Sequence, residues 1–412
     1  MTTAWQWISG WMISLGQLVV LISLGYHYLL LLGGLRRSKR VEGVVGQTKF
    51  AVVIPAHDEE AVIGQTIESV MNQTHSDHSV DTYVIADHCT DRTAEIARAA
   101  GAMVLKRDQE PRGRKGYALK WGLDQVLTGD THYDAIAIFD ADSVLDPGCL
   151  AAFAPLIAAD YPVLQGQKII RNANDTSFTA LDDVNHRLAN FLRGRAKTNL
   201  GFSARLMGDA MCFHSEIIRR YGWPTESLVE DREFGLYLLL QGVRVTYVPD
   251  ARSSGEAARR WHDATTQRMR WVGGGQGIAR AFASRFLSAW LHRPRRELLD
   301  QFFELVLPPF TLSLALSFVL VLLVWAFPGT QPLLGIAPSL GVLFLWIMFP
   351  VFGLLIAHAP TQNYKALWMG PVYVIWRIFV TVKARLTANS IQWVRTKRSD
   401  ELSDPDNHTT NL

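Results

Sequence analysis

Up to Leu35 the chain is apolar almost without interruption, and no Lys, Arg, Asp or Glu precedes Arg36. A second uncharged stretch covers residues 305–364. A helix crosses a bilayer with roughly 20 apolar residues, so the first stretch has room for one span and the second for two. The spans are expected near residues 11–32, 305–327 and 339–358. The turn-forming run Pro328-Gly329-Thr330-Gln331-Pro332 separates the last two. The first run is too long for a cleaved signal peptide and lacks a basic start. Arg36, Arg37, Lys39 and Arg40 follow it, where a cytoplasmic flank is expected. Further basic groups at 293–296 and 395–398 extend that rule to a cytoplasmic tail after three spans, with position 330 outside. Residues 368–385 carry Arg377, Lys383 and Arg385 and are therefore expected to lie along the interface.

Between the uncharged stretches the pattern becomes that of an α/β domain. Short apolar runs at 50–55, 82–86, 103–105 and 135–139 read as buried parallel strands. Helical stretches at 60–71, 91–100 and 115–126 alternate with them, and Gly101 marks a stop. Such alternation predicts a doubly wound sheet with its ligand at the carboxyl ends of the strands. Asp58 or Glu59, Asp87 and Asp140 fall just after strands. Further on, 163–169, 206–213 and 243–248 read as strands, and 178–197 and 230–241 as helices. Residues 265–285 mix basic, apolar and glycine positions and suit a membrane surface. This gives an anchor and basic flank at 1–48, a domain at 49–285, a membrane hairpin with an interfacial helix at 286–396, and a polar, disordered tail at 397–412.

Composition adds exclusions. The net charge of +3 over 412 residues is small, and basic residues are not interleaved with aromatics along one face, so no nucleic-acid partner is expected. Cys89, Cys149 and Cys212 lack metal-ligand spacing and suit a reducing cytosol. His88 and Cys89 have no partner Cys or His at ligand spacing. Without an acid or base in either long gap, a transporter is a poor reading.

The chemistry-bearing residues come in a fixed order. Asp140-Ala141-Asp142 ends an apolar strand, where two carboxylates repel unless a cation neutralises them; hard oxygen ligands suit Mg²⁺ or Mn²⁺ on a diphosphate. Lys115, in Arg114-Lys115-Gly116-Tyr117-Ala118-Leu119, opens a helix, where its charge and the helix N-terminus both meet phosphate. Glu230-Asp231 precedes a helix, so either acid equally suits the positive helix end. Gln267-Arg268-Met269-Arg270-Trp271 lies 36 residues after Asp231 and offers guanidinium groups for phosphate and a flat ring for an acceptor.

Together these motifs resemble the membrane-bound family 2 glycosyltransferases, which include cellulose, chitin and hyaluronan synthases and are similar to ceramide glucosyltransferase. The likeness covers about residues 49–271. It implies a GT-A fold: a Rossmann-like nucleotide-sugar-binding domain inserted between transmembrane helices of a cell inner or plasma membrane, facing the cytoplasm. By the family's pattern Pro55, Glu59 and Asp87 wrap the nucleotide, with Asp58 replacing an Asn. Lys115 and Asp140 contact the nucleotide sugar, and Asp142, with Asp140, holds the metal. Asp231 is the general base of an inverting transfer. Gly208, Asp209 and Glu230 belong to the acceptor side, and Gln267, Arg268, Arg270 and Trp271 complete the catalytic set. His262 is a further candidate ligand. The expected donor is a UDP-sugar. The acceptor is a membrane lipid or lipid-linked glycan, because three spans give little wall for a polymer channel unless the protein forms homo-oligomers or has export partners. A processive exopolysaccharide synthase is the alternative, and a non-catalytic sugar-nucleotide-sensing subunit the alternative of another class.

Overall fold

The computed structural model describes residues 2–36, 47–75, 79–224, 227, 229–259 and 261–387. The basic positions Arg37, Lys39, Arg40 and 395–398, and the polar tail, lie outside the described residues. A 34-residue helix, α1 (Thr2–Leu35), comes first. Then follow β1 (Lys49–Ala56), α2 (Ile63–Met71), β2 (Ser79–Asp87), α3 (Thr93–Ala99), β3 (Met103–Arg107), α4 (Lys115–Thr128) and β4 (Ala135–Ile138). The next elements are β5 (Val144–Leu145), α5 (Cys149–Ala158), β6 (Val163–Ile170), α6 (Ser177–His186), α7 (Arg193–Leu200), β7 (Met211–His214), α8 (Ser215–Tyr221), α9 (Glu230–Leu240) and β8 (Val245–Gly255). Helices α10 (Trp261–His292), α11 (Arg296–Val306), α12 (Phe310–Ala326), α13 (Ile336–Ile356), α14 (Thr361–Ala366) and α15 (Gly370–Leu386) complete the described chain.

The strands form one eight-stranded sheet in the order β3-β2-β1-β4-β7-β6-β8-β5. β1 pairs in parallel with β2 and β4, and β3 with β2. β7 enters antiparallel between β4 and β6. Successive strand side chains point to opposite faces, which divides the core in two. Phe50, Val52 and Ile54 meet Ile63 and Ile67 of α2 and Phe153 of α5 on one side. Ala51 and Val53 meet Leu119 and Leu123 of α4 and Phe234 of α9 on the other. α4 lies so close to β2 that a Cβ on Gly122 would stand 2.1 Å from Ile85 Cδ1.

Three expectations need correction. The strand placed at 206–213 is only Met211–His214, because Gly208 and Ala210 take positive φ values of 79° and 50° and turn the backbone out of the ladder. The helix at 178–197 does form, but it widens into a π-helical segment at Arg187–Leu192 between α6 and α7. The span placed at 305–327 breaks at Leu307-Pro308-Pro309, where prolines remove backbone donors, and α11 and α12 bend by 61°.

Ala4–Leu35 and Ile336–Ile356 are long and apolar enough to cross a membrane, and α11 with α12 passes as a bent pair. Thr361–Leu386 meets the same test of length and composition, although the chain pattern placed it along the interface. This segment packs on the domain: Asn363 Nδ2 donates to Asp183 Oδ2 of α6 (2.8 Å), and Trp376 Nε1 donates to Thr265 Oγ1 of α10 (3.0 Å). The α12–α13 loop meets the first half of α1, where Gln17 Nε2 donates to Leu334 O at 2.9 Å. The other end of α1 meets the domain, where Asn199 Nδ2 donates to Gly33 O at 3.0 Å.

Candidate active site

Because β1, β2 and β4 run parallel, their carboxyl ends share one edge, and the segments that follow them enter a common cleft. The cavity there measures about 2340 Å³. Pro55, Glu59, Asp87, Lys115, Asp140, Asp142, Gly208, Glu230, Asp231, Gln267, Arg268, Arg270 and Trp271 all line it. Asp209 does not. It is 1% exposed and works from behind: Oδ1 accepts the Asp140 backbone N–H (3.0 Å) and the Ser143 hydroxyl (2.8 Å), and Oδ2 accepts the Ser253 hydroxyl (2.8 Å). Its place on the acceptor side is therefore corrected to a support beneath the strand-end acids. His262 is exposed and does not line the cavity.

Two lysines hold Asp140. Lys115 Nζ donates to Oδ1 (2.5 Å) and to Gly208 O (2.6 Å), and Lys168 Nζ donates to Oδ2 (3.2 Å). Burial alone would raise the Asp140 carboxyl, but Lys115 and Lys168 hold it well below the usual carboxylate range. Lys168 was not among the expected residues. Its signal was a lysine directly before the apolar pair Ile169-Ile170 that closes Val163–Ile170. Asp142 lines the same cavity from within the turn that Ser143 N–H closes on Asp140 O.

At the end of β2, Asp87 Oδ1 accepts from the buried Arg107 Nη1 (2.5 Å), which fixes the carboxylate. Arg107 also escaped the sequence reading, since a basic residue closing an edge strand has an equally good solvated explanation. Asp58, Cys89 and Asp91 bring their ligand atoms within 4.8 Å of one another. Both carboxylates are engaged in shaping the loops: Asp58 Oδ1 accepts the Thr90 N–H (2.7 Å) and Asp91 Oδ1 the Thr93 N–H (2.9 Å). Burial pushes the Cys89 thiol up to about 11, which disfavours the thiolate a metal needs.

Beside Gly208 and Lys115, α9 begins with Glu230 and Asp231. Gly208 makes room for the base candidate, since a Cβ there would lie 3.3 Å from Asp231 Oδ2. Burial, then the Asp231 charge, pushes Glu230 up to about 7, and burial also raises Asp231. The two arginines of the Gln267–Trp271 run part company. Arg270 is the one whose charge is felt by the acids, while Arg268 turns away to pair with Asp182 of α6 and covers the Trp271 ring at 4.7 Å. An ion-paired Arg268 is a holder of Trp271 and α6 more than a free phosphate clamp.

Residues 47–274 match the family model for the glycosyltransferase-like family 2. The chain belongs to that family. It is 23% identical to a probable glycosyltransferase of Bacillus subtilis, YdaM, over 93% of this chain and 96% of that one. It is 27% identical to the beta-monoglucosyldiacylglycerol synthase of Nostoc sp. over 58% of this chain and 50% of the relative, so it spans half the length of that relative. A mannosyltransferase of Pyrobaculum calidifontis, solved with GDP-mannose and Mn²⁺, superposes with a TM-score of 0.57 at 15% identity, covering 90% of this chain and 99% of that one. The fold of this glycosyltransferase is thus GT-A, and relatives of the family 2 enzyme include glycolipid synthases. The likeness to cellulose, chitin and hyaluronan synthases reduces to this shared family.

The donor set of the glycosyltransferase fits a hard divalent cation. Asp142 presents a carboxylate to the same cavity as Asp140, and oxygen ligands of this kind suit Mg²⁺ or Mn²⁺.

Coupling between Glu230 and Asp231 makes a pH test available. Removing the Asp231 charge removes a repulsion, so Glu230 ionises more readily. The Glu230 carboxyl should titrate near neutrality in the parent enzyme and at lower pH in Asp231→Asn, followed by the carboxyl stretch in difference infrared spectra against pH. A carboxyl that stays in place would show the two groups to be uncoupled.

Proposed function

We propose that this family 2 glycosyltransferase is inverting and moves a sugar from a UDP-sugar to a hydroxyl on a membrane lipid or lipid-linked glycan, at the cytoplasmic face. The observation that carries this reading is the continuity of the cavity. The space that holds Lys115, Asp142 and Asp231 runs on between Phe310 and Phe318 of α12, Trp346 of α13 and Ile378 of α15. A water-soluble acceptor needs no such apolar extension; a lipid does.

In this mechanism Pro55, Glu59 and Asp87 border the nucleotide, and Lys115 at the start of α4 meets the diphosphate. Asp142 with Asp140 would hold Mg²⁺ or Mn²⁺, which when bound would supply positive charge where the diphosphate develops negative charge. Asp231 accepts the proton of the acceptor hydroxyl, whose oxygen bonds to the anomeric carbon as the bond from that carbon to the diphosphate oxygen breaks. One displacement inverts the anomeric centre and releases the nucleotide diphosphate. Arg270 and Gln267 face the departing phosphate, and Glu230, Gly208 and Trp271 border the acceptor. A domain from residue 49 to 285 and a membrane part from 286 to 396 follow from this division of labour.

Purified protein in lipid vesicles, given a panel of labelled UDP-sugars, should yield label that extracts with lipid as a low-mass glycolipid. A high-mass polymer made by the protein alone would replace this reading with the processive one, and absence of turnover would favour a sensing subunit. Orientation is read separately: a cysteine introduced at Thr330 should react with a membrane-impermeant reagent from outside.

A further inference from the structure

Beyond Asp231 the cavity wall turns cationic, with Arg193, Arg205 and Arg232 all lining it. Arg193 is answered by Glu304 of α11 at 3.6 Å. Glu304 and Asp300 are in turn engaged by the buried Lys197. Arg205 and Arg232 are different: among the described residues neither guanidinium has an ion pair or a hydrogen bond. Arg232 Nε is shut off from solvent with no partner at all, a condition that buried polar atoms rarely keep. Burial, then the charge of Arg205, pushes Arg232 down to about 9, so the two cations lie close enough to repel. Arg205 also lies near enough to Asp231 to favour its carboxylate. Gly275 of α10 leaves space for this arrangement, since a Cβ there would stand 3.0 Å from Arg232 Nη1.

We infer that Arg205 and Arg232 bind a phosphate of the acceptor, so that the preferred acceptor is a phospholipid with a hydroxyl on its head group and not a neutral diacylglycerol. This rests on the lipid-acceptor reading of the same cavity. Guanidinium forks match phosphate oxygens in charge and geometry, and a phosphate between these two would answer both unpaired cations while holding the hydroxyl beside Asp231. The acyl chains then continue into the apolar part of the cavity along α12 and α15.

The test compares acceptors in phosphatidylcholine vesicles doped with either phosphatidylglycerol or diacylglycerol, with glycerol 3-phosphate as a soluble arm, using the active UDP-sugar. Wild type should glycosylate phosphatidylglycerol with a kcat/KM at least tenfold above diacylglycerol. Arg205→Gln and Arg232→Gln should each reduce that ratio about tenfold, and Arg232→Lys should restore part of it; Arg98→Gln, on a distant surface, should keep it. Arg205 is exposed, so its substitution tests the idea even where Arg232→Gln folds poorly. Equal use of both lipids, or an equal loss on both in the arginine variants, overturns the phosphate subsite while leaving the lipid reading intact. Labelling of glycerol 3-phosphate but neither lipid overturns both.

Discussion

Asp231→Asn should bind the donor nearly as well as the parent and turn over ~100-fold more slowly or worse, the order that general-base catalysis contributes. The side chains have nearly the same size, so the start of α9 and the close approach of Gly208 survive. What is lost is a carboxylate able to take a proton. Asp231 comes close to Lys115 across Gly208, and its carboxylate is destabilised by burial, which strengthens it as a base. Asp142→Ala should behave in the opposite way. It removes a carboxylate from the strand-end pair and leaves Asp231 in place, so Mn²⁺-dependent UDP binding should disappear. Calorimetric titration of UDP with and without MnCl₂, set beside turnover, separates the two variants. If Asp231→Asn weakened UDP binding as much as Asp142→Ala, the two carboxylates would not divide their roles as proposed.

The parts of this site legible in the sequence are those that local pattern determines. An apolar run such as Ala135–Ile138 specifies a buried strand, and residues at its carboxyl end emerge at the sheet edge, so the placement of Asp140 and Asp87 followed directly. The same logic located the loop after β1. The partners were not legible, because they come from distant positions with no periodic signal. Lys168 meets Asp140 only when β6 joins the sheet through β7, and Arg107 meets Asp87 across the β2–β3 pair. Asp182 reaches Arg268 only when α6 packs beside α10. Asp209 was misplaced because its segment resembled a strand, while two positive-φ residues around it make a turn that tucks the carboxylate beneath the sheet end. The bend between α11 and α12 was written in Pro308-Pro309, but an uncharged run of this length masked it.

Lys197→Met should lower stability by ~3–5 kcal/mol, the cost of leaving a buried charge unpaired. Lys197 is 1% exposed and lies on α7, where the catalytic domain meets both α1 and α11. Its Nζ donates to Asp300 Oδ2 at 2.8 Å and to Glu304 Oε2, and the Tyr26 hydroxyl of α1 donates to Asp300 Oδ1 at 2.9 Å. Methionine fills much of the same volume, so packing is roughly kept while both carboxylates lose their cation. Arg193 can answer Glu304 in part, but among the described residues Asp300 keeps only the Tyr26 hydroxyl. In detergent the variant should therefore melt well below the parent. Lys197→Met combined with Asp300→Asn and Glu304→Gln should recover much of the loss, because neutral groups of the same shape carry a far smaller desolvation cost. The recovery separates charge from shape: a triple variant as unstable as Lys197→Met would show that the lysine acts through its packing. Since α11 leads into α12, which borders the apolar end of the cavity, the same cluster fixes where that apolar wall stands relative to the domain.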